Sequence, residues 1–482
     1  MGLSVVYDVS DPLSIERYAK RLIGKTLMDV LDPHVLNSIG TIRNNRARGS
    51  FGDVLERHFF DIHPDNRSGL PDFDRAGVEL KSTPMRRRGT RLVAKERMVL
   101  SMIDYMGLPA ETWDRSSFLL KNRRLLTVFY MHEDGKTVIE YRIRVVGLWE
   151  FPGDDLKIIR DDWSKIQAKV REGRADEISE GDTNYLGACT KGRNAESNWR
   201  QQPFSSRKAK GRAYSLKASY VNSMIERMIG RGDAEPLENK LVKDPSDLQD
   251  RTLEGLVLER FKPFLGKTTE EIAIELGITA NRRAKNFNDL ITRAILKVKD
   301  RMIEFEKADI AVKSIVLETS GRLKESVSFP AFDYTEIMNE SDWDSSEIKG
   351  MFDRRFFFVV FQKRPDDVRV LRKVMFWALP VKDLLEVKKV WLATRKAIRE
   401  GRYDDLPKIS DNRVSHIRPH GRNALDVVPT PDGGVTMRRC FWLNAKYIEG
   451  QVGGTAWSYY DESKPGSYDK GVIVQRTIDL YE

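Results

Sequence analysis

Cysteine is almost absent from this chain of 482 residues, which contains only Cys189 and Cys440. Two thiols so far apart exclude a disulfide framework and a thiolate zinc cluster, and they suit a reducing cytoplasm. Long apolar runs are absent too, since the longest, around residues 356–361, falls far short of the roughly 20 residues that span a membrane. The first residues, MGLSVVYDVSDPL, lack the regions of a signal peptide, so we expect a cytoplasmic protein without membrane contact.

The charged residues are unequally divided between the two signs. Lys and Arg number 82 against 72 Asp and Glu, which gives a net charge of +10 and a pI near 9.3. Such an excess is typical of proteins that bind a polyanion, because neutralised phosphates release their condensed counterions. The alternative is an excess that serves solubility alone. Nucleic acid is therefore the first partner to consider.

The chain repeats itself once, at an offset of about 230 residues. The matching pairs, in chain order, are RLIGKTLMDV with PFLGKTTEEI, ARGSFGDVLER with AKNFNDLITR, FDRAGVELKS with FEKADIAVKS, RRLLTVFY with RRFFFVVF, GLWEFP with MFWALP, VREGR with IREGR, GRNA with GRNA, and SLKASYV with WLNAKYI. This many matches in one order indicate a duplicated domain. We predict an N-terminal domain over 1–231, a charged, Pro-containing linker over 232–250, and a C-terminal domain over 251–482.

Within each copy the spacing of apolar residues predicts both helices and strands. Apolar residues recur at helical spacing over 14–30, 50–60 and 161–172. Residues 123–132 and 140–149 read as an antiparallel pair of strands, with Glu133 to Lys136 as the turn between them. We therefore predict an α/β fold, a mixed sheet flanked by helices, present as two tandem copies.

Chemistry is concentrated in the segment LPDFDRAGVELKSTP, which spans 70–84. If GVELKST is a strand, Glu79 and Lys81 point to one face, and Leu80 points into the core. Asp72, in the preceding turn, brings a second carboxylate to the Glu79 face. These two carboxylates and the backbone carbonyl of Leu80 form a hard-oxygen site suited to Mg²⁺. Lys81 is placed to hold an attacking water or to offset phosphate charge.

A further carboxylate comes from the helix SFGDVLERHFF, which presents Glu56 beside apolar residues. Both the Asp…Glu-x-Lys pattern and Glu56 have an alternative interpretation. Charged strand edges often produce Asp…Glu-x-Lys without a metal site, and a lone glutamate on a helix is usually solvated. The repeat acts as an internal control. Opposite Glu56, Asp72 and Glu79 the second copy has Thr292, Glu304 and Ala311, whereas Lys81 is matched by Lys313. Selective change at these positions predicts one active centre, in the first copy.

These motifs resemble a known family. The PD…(D/E)xK arrangement is similar to the signature of a large nuclease superfamily, and GSFGDVLER followed by PDFDRAGVELKSTP resembles its MutH branch. The duplicated layout resembles the two-domain restriction endonucleases of that branch, which cut at GATC. The resemblance implies a restriction-endonuclease-like core, Asp72 and Glu79 as metal ligands, Lys81 as the catalytic lysine, Glu56 as an additional acid and Arg48 as a phosphate contact.

Base recognition is expected from a second region. In the family a Lys-containing loop enters the major groove, and residues 184–197 lie at the matching place. Lys191 would read guanine there, since a lysine meets both O6 and N7, although Cys189 and Thr190 depart from the family's basic-Pro-Lys pattern. The alternative is a plain surface lysine. The predicted DNA-binding residues are Arg48, Lys191, Arg193 and Lys217 in the first copy and Arg418, His420 and Arg422 in the second, and the basic segments 85–91 and 205–212 are predicted to contact phosphates.

The sequence thus predicts a Mg²⁺-dependent type II restriction endonuclease that cleaves double-stranded DNA, with GATC implied by the resemblance. The second copy is expected to bind a second site as an effector. A chain that is monomeric in solution has one active centre, so a double-strand break requires either that two chains pair on DNA, which we expect, or that one chain makes two successive nicks. Two alternatives stay open: a MutH-like nicking enzyme of mismatch repair, and a non-enzymatic DNA-binding regulator whose acids are structural.

Overall fold

The computed structural model describes residues 7–39, 50–62, 69–191, 198–230, 235–281, 284, 286–423, 425–453 and 477–479. The chain forms two compact units, each with its own sheets. Unit 1 comprises Met1–Leu248 together with Met302–Asp309, and unit 2 comprises Gln249–Arg301 together with Ile310–Glu482. The predicted boundary and the linker at 232–250 stay a prediction.

Helices and strands are interspersed along the chain. The helices are α1 Pro12–Ala19, α2 Pro33–Ile39, α3 Ser50–Val54, α4 Ser117–Asn122, α5 Gly153–Arg171, α6 Ala218–Met228, α7 Leu253–Phe261, α8 Thr269–Glu275, α9 Phe287–Ile295, α10 Ile303–Lys307, α11 Tyr334–Asn339, α12 Glu347–Phe352, α13 Val381–Arg399 and α14 Ala445–Gly453. The strands are β1 Glu79–Arg88, β2 Arg91–Ala94, β3 Met98–Met102, β4 Arg124–Met131, β5 Ile143–Glu150, β6 Leu186–Thr190, β7 Trp199–Arg200, β8 Ala209–Lys210, β9 Arg212–Leu216, β10 Ile310–Leu317, β11 Val327–Ala331, β12 Arg355–Lys363, β13 Arg369–Ala378, β14 Ser415–Pro419, β15 Val427–Pro429, β16 Val435–Met437, β17 Arg439–Leu443 and β18 Thr477–Asp479. The predicted α/β class is confirmed.

Unit 1 is built on a mixed sheet of order β2-β1-β4-β5. Strand β1 pairs in parallel with β4, with Glu79 opposite Leu125, and β4 pairs antiparallel with β5. The predicted hairpin is confirmed, although the connection after Glu133–Lys136 continues through a short 3₁₀ turn at Val138–Glu140. The side chains of β4 are nearly all buried, because packed side chains cover both faces of this central strand. Unit 1 also contains a second sheet, of order β3-β9-β6, and a two-stranded sheet of β7 and β8.

The predicted helix over 14–30 is wrong in its second half. Helix α1 ends at Ala19 and one 3₁₀ turn follows, after which the chain reverses at Gly24, whose φ is +81°. That backbone conformation favours glycine. The Gly24 N–H donates to the Ile143 carbonyl at 2.9 Å, so the chain bonds to the start of β5 instead of continuing the helix. The helical pattern over 161–172 is confirmed within α5, and that over 50–60 in α3 and the turn after it.

Unit 2 contains a sheet of order β10-β12-β13-β18 and a second sheet of order β11-β17-β14. Strand β10 pairs in parallel with β12, with Ala311 opposite Phe356, and β12 pairs antiparallel with β13. Trp149 and Trp163 are buried in the core of unit 1, and Trp377 and Trp391 in the core of unit 2.

Several local contacts of unit 1 recur in unit 2 at positions inside or close to the segments that the sequence repeat pairs. Each unit has a buried tyrosine that donates to a buried aspartate, Tyr220 to Asp155 at 3.0 Å in one and Tyr447 to Asp383 at 2.8 Å in the other. Each unit also has a Gly-Lys turn whose glycine N–H bonds to a strand, at Gly24 in unit 1 and Gly266 in unit 2. A threonine capping box follows it, at Thr26 and Thr268. A serine caps a short helix in each unit, Ser116 in unit 1 and Ser346 in unit 2.

Residues 302–309 belong to unit 1, although the chain before and after them belongs to unit 2. The ammonium of Lys307 lies 3.2 Å from Asp155, and Ser219 donates to the Lys307 carbonyl at 2.7 Å. The carboxylate of Glu304 accepts the backbone N–H groups of Leu241 and Val242, at 2.7 and 3.0 Å. These buried bonds hold α10 in unit 1.

Candidate active site

A tight turn brings Asp72 to the first residues of β1. Residues Phe73 and Val78 form an isolated antiparallel bridge around the 3₁₀ turn Asp74–Ala76, and Gly77 closes the turn with φ +62°. The Asp72 carboxylate then accepts the N–H of Leu80 at 2.9 Å. The Asp72 N–H in turn donates to the Glu79 carboxylate at 3.2 Å. The turn therefore fixes both carboxylates at one end of the strand.

Strand alternation places Glu79 and Lys81 side by side, as the sequence predicts. Their carboxylate oxygen and ammonium nitrogen are 2.5 Å apart, while Leu80 packs into the apolar core with Val78. A second lysine, Lys121 on α4, lies 3.5 Å from the same Glu79 oxygen. Sequence reasoning missed Lys121, because the only signal was its position just before β4 and the pairing of β4 with β1 was not predicted.

Glu56 reaches this site from a distorted helical turn. Helix α3 passes into a π-helical turn at Leu55–Phe59, in which the Phe60 N–H donates to the Leu55 carbonyl at 3.0 Å. Helix α3 packs closely on β1: a Cβ added to Gly52 would lie 3.3 Å from the Ser82 hydroxyl and 3.9 Å from a Glu56 carboxylate oxygen. The glycine thus permits the close approach that brings Glu56 to the strand.

Burial and neighbouring acids raise the pKa of Glu56 and of Glu79 in this half-buried space. Burial, with a further contribution from the Asp72 carboxylate and against the opposing effect of Lys81, raises the pKa of Glu56 to about 7. Burial also raises the pKa of Glu79, against the lowering effect of Lys81. Crowded carboxylates of this kind are destabilised by their own charge, and a bound cation would relieve that repulsion.

The residues present fit a divalent metal ion with oxygen ligands. Asp72 and Glu79 supply two carboxylates, and the Leu80 carbonyl lies in the same segment of backbone. In the part of the chain that the structure describes, no three Asp, Glu, His or Cys side chains gather closely enough to hold a metal by themselves. Two carboxylates with water and substrate phosphate completing the shell are usual for Mg²⁺.

The residues predicted to bind DNA differ in accessibility. Lys191 is exposed at the end of β6, with its N–H bonded to the Gly211 carbonyl at 2.9 Å. In unit 2, Arg418, His420 and Arg422 are exposed, and the Arg418 guanidinium lies 4.4 Å from the ring centre of Trp442. Arg48 and Arg193 lie outside the described residues.

Lys217 is placed differently from its prediction as a DNA contact. Its side chain is buried, and its ammonium donates to the carbonyls of Thr183 at 2.6 Å and Ala308 at 3.1 Å. An ammonium held by internal carbonyls is not presented to a phosphate. The prediction of Lys217 as a DNA contact is therefore wrong.

The residues that the sequence repeat pairs with the three acids do not form a comparable site. Ala311 has no polar side chain, and the Thr292 hydroxyl is buried and donates to the Asn288 carbonyl at 2.8 Å. Glu304 is engaged with the backbone of unit 1, as described above. Lys313 remains, with its ammonium 3.1 Å from the Ser328 carbonyl.

Among the described residues, no helix combines the length and the apolar character needed to cross a membrane. Both cysteines, Cys189 and Cys440, are buried free thiols.

Comparison with known proteins places this chain in a family. A family model described as DNA mismatch repair enzyme MutH matches residues 60–162, which include Asp72, Glu79, Lys81 and Lys121. The type II restriction enzyme Sau3AI of Staphylococcus aureus is 32% identical over 494 residues, covering 91% of this chain and 98% of that protein. The DNA mismatch repair protein MutH of Shewanella woodyi is 25% identical over 217 residues, covering 44% of this chain and 90% of that protein. The chain therefore belongs to the MutH-like family of type II restriction endonucleases and is a site-specific DNA endonuclease.

Proposed function

We propose that unit 1 hydrolyses phosphodiester bonds of double-stranded DNA at a short site, GATC by the family resemblance, with Mg²⁺ as cofactor. The observation that carries this proposal is the convergence of Glu56, Asp72, Glu79 and Lys81 at the start of β1. A structural role for these acids is disfavoured, because crowding carboxylates in a half-buried site costs stability unless a ligand offsets it.

Each side chain has a role that follows from its position. Asp72 and Glu79 would hold the metal ion, with the Leu80 carbonyl as a further ligand. When bound, the ion stabilises charge on the phosphate and lowers the pKa of an attacking water. Lys81, 2.5 Å from Glu79, neutralises phosphate charge beside the carboxylates. Glu56, with a pKa of about 7, can accept a proton near neutral pH.

We further propose that unit 2 is a second copy of the same domain that has lost catalysis and binds a second DNA site as an effector. The matched registers support this, since Glu79 faces Leu125 in unit 1 as Ala311 faces Phe356 in unit 2. The recurring Tyr–Asp bonds and helix caps support it as well. The exposed Arg418, His420 and Arg422 are the proposed DNA contacts of unit 2, and Lys191, with Arg48 and Arg193, those of unit 1.

One active centre per chain has a geometric consequence. A double-strand break needs two centres or two successive nicks. We propose that a chain that is monomeric in solution pairs with a second chain on DNA. Linear product should then appear without accumulation of nicked plasmid, and persistent nicking would contradict pairing.

The test of the proposed function is digestion of unmethylated plasmid by the wild-type chain and by Glu79→Gln, with Mg²⁺ and with EDTA. Discrete fragments from the wild type in Mg²⁺ alone, with ends that map to one short sequence, are the expected result. Intact plasmid in every arm, with DNA binding retained, would favour a regulator. Single-strand nicks confined to hemimethylated DNA would favour a repair enzyme.

The effector role is tested with plasmids that carry one or two copies of the site. We expect faster cleavage of the two-site plasmid, and equal rates would contradict the role of unit 2. Deleting residues 251–482 is a poorer test, because it also removes the segment 302–309 that packs into unit 1.

A further inference from the structure

Lys313 occupies in unit 2 the place that Lys81 occupies in unit 1. Lys81 follows Glu79 by two residues and lies opposite Thr127 on the paired strand. Lys313 follows Ala311 by two residues and lies opposite Phe358. The lysine is thus kept where its carboxylate neighbour has been replaced by a methyl group.

The surroundings of Lys313 lack the negative charge that Lys81 has. Its half-buried ammonium donates to the Ser328 carbonyl at 3.1 Å and lies 5.9 Å from the ring centre of Phe329. Within the described residues, no carboxylate forms an ion pair with Lys313. Burial and the nearby Arg354 lower the pKa of Lys313, the direction expected of a cation short of anionic neighbours. An ammonium has three donors, and a carbonyl engages one of them.

A second cation lies on the adjoining sheet. Ser328, which accepts from Lys313, is the register partner of Trp442 on β17. The guanidinium of Arg418 covers the ring of Trp442 at 4.4 Å from its centre. Arg418 is itself opposite Cys440, whose thiol lies near both cations. Lys313 therefore contacts Ser328 and Arg418 contacts Trp442, and these two residues lie opposite each other on neighbouring strands.

We propose that Lys313 and Arg418 form a metal-independent site for a backbone phosphate of a DNA duplex bound by unit 2. The inference rests on the proposed function of unit 2 and names the site by which that unit holds DNA. In unit 1 the carboxylates repel a phosphate unless a cation intervenes. With Thr292 and Ala311 in place of two acids, the same framework presents positive charge directly, and phosphate binding needs no metal.

The experiment is native mass spectrometry and salt titration of the full chain with a short duplex that contains one GATC, in EDTA so that no cleavage occurs. The variants are Lys313→Met and Arg418→Met, with Lys396→Met on α13 as a control that removes the same charge from an exposed position. We expect the wild type to take up two duplexes per chain. Each site variant should weaken the binding of one of the two duplexes about tenfold and lower the slope of log affinity against log salt concentration by about 0.9. Lys396→Met should change neither the affinity nor the slope.

Two further variants guard against a folding artefact. Lys313→Arg retains the charge and should retain the affinity, whereas Ala311→Glu returns a carboxylate beside Lys313 and should weaken the same step. Two duplexes per chain, with affinity and salt slope unchanged in Lys313→Met or in Ala311→Glu, would overturn the phosphate site alone. One duplex per wild-type chain would instead overturn the proposed DNA binding by unit 2.

Discussion

Replacing Glu56 by Gln should stabilise the metal-free protein while it abolishes cleavage. Burial and the neighbouring acids raise the pKa of Glu56 from about 4.5 to about 7. Between those pH values the folded protein keeps a proton on Glu56 that the unfolded chain has lost. The free energy of unfolding therefore falls as the pH rises through this window and stays lowered above it. Glutamine is neutral at every pH, so the variant escapes this loss.

The size of the effect follows from the two pKa values. At about 1.4 kcal/mol per pH unit, the difference corresponds to roughly 3 kcal/mol as an upper bound. Glu56 is only half-buried, and screening by solvent reduces this to about 1–2 kcal/mol. At about 2–4 °C per kcal/mol for a domain of this size, the unfolding midpoint of unit 1 should rise by several degrees.

Thermal unfolding in EDTA, at about pH 8 and about pH 5, measures this stabilisation. Glu56→Gln should unfold at a higher temperature than the wild type at the higher pH, and the gain should shrink at the lower one. The exposed Glu96→Gln is the matched control and should behave as the wild type at both. A Glu56→Gln midpoint equal to or below the wild type at the higher pH would refute the reasoning.

Two further predictions concern lysines with contrasting surroundings. Lys307→Met removes the ammonium that pairs with the buried Asp155 and should destabilise unit 1 by about 3 kcal/mol in denaturant unfolding. A change below about 1 kcal/mol would contradict a stabilising buried ion pair. Lys191→Ala should weaken duplex binding and lower by about 1 the slope of log affinity against log salt concentration. Lys217→Ala should lower the stability of the protein and leave that slope unchanged, because internal carbonyls hold its ammonium. The reverse pattern would show that Lys217 contacts DNA.

The part of the site that follows a short-range rule could be predicted from the sequence. Strand alternation alone places Glu79 and Lys81 on one face and Leu80 in the core, and the structure has this arrangement. The approach of Glu56 to the site does not follow from strand alternation, because it depends on the packing of α3 against β1 at Gly52. That contact joins two segments that are distant in sequence, and the local spacing of apolar residues does not predict which segments pack together.

Features that depend on tertiary contacts could not be predicted in the same way. Lys121 reaches Glu79 only because β4 pairs with β1. Lys217 resembles a surface lysine in sequence, yet two carbonyls hold it inside unit 1. The helical pattern after Ala19 ends where Gly24 bonds to β5, which overrides the apolar spacing. In each case a partner distant in sequence decides the outcome.

The active centre in unit 1 is tested most directly by single-turnover cleavage of a duplex that contains GATC, at saturating enzyme and Mg²⁺. Lys81→Met should slow the cleavage step by roughly 10²–10³-fold while duplex binding is retained, since it removes the ammonium beside Glu79. Lys396→Met, the control of equal charge on unit 2, should cleave at the wild-type rate. Wild-type cleavage by Lys81→Met would contradict the assignment of catalysis to this site.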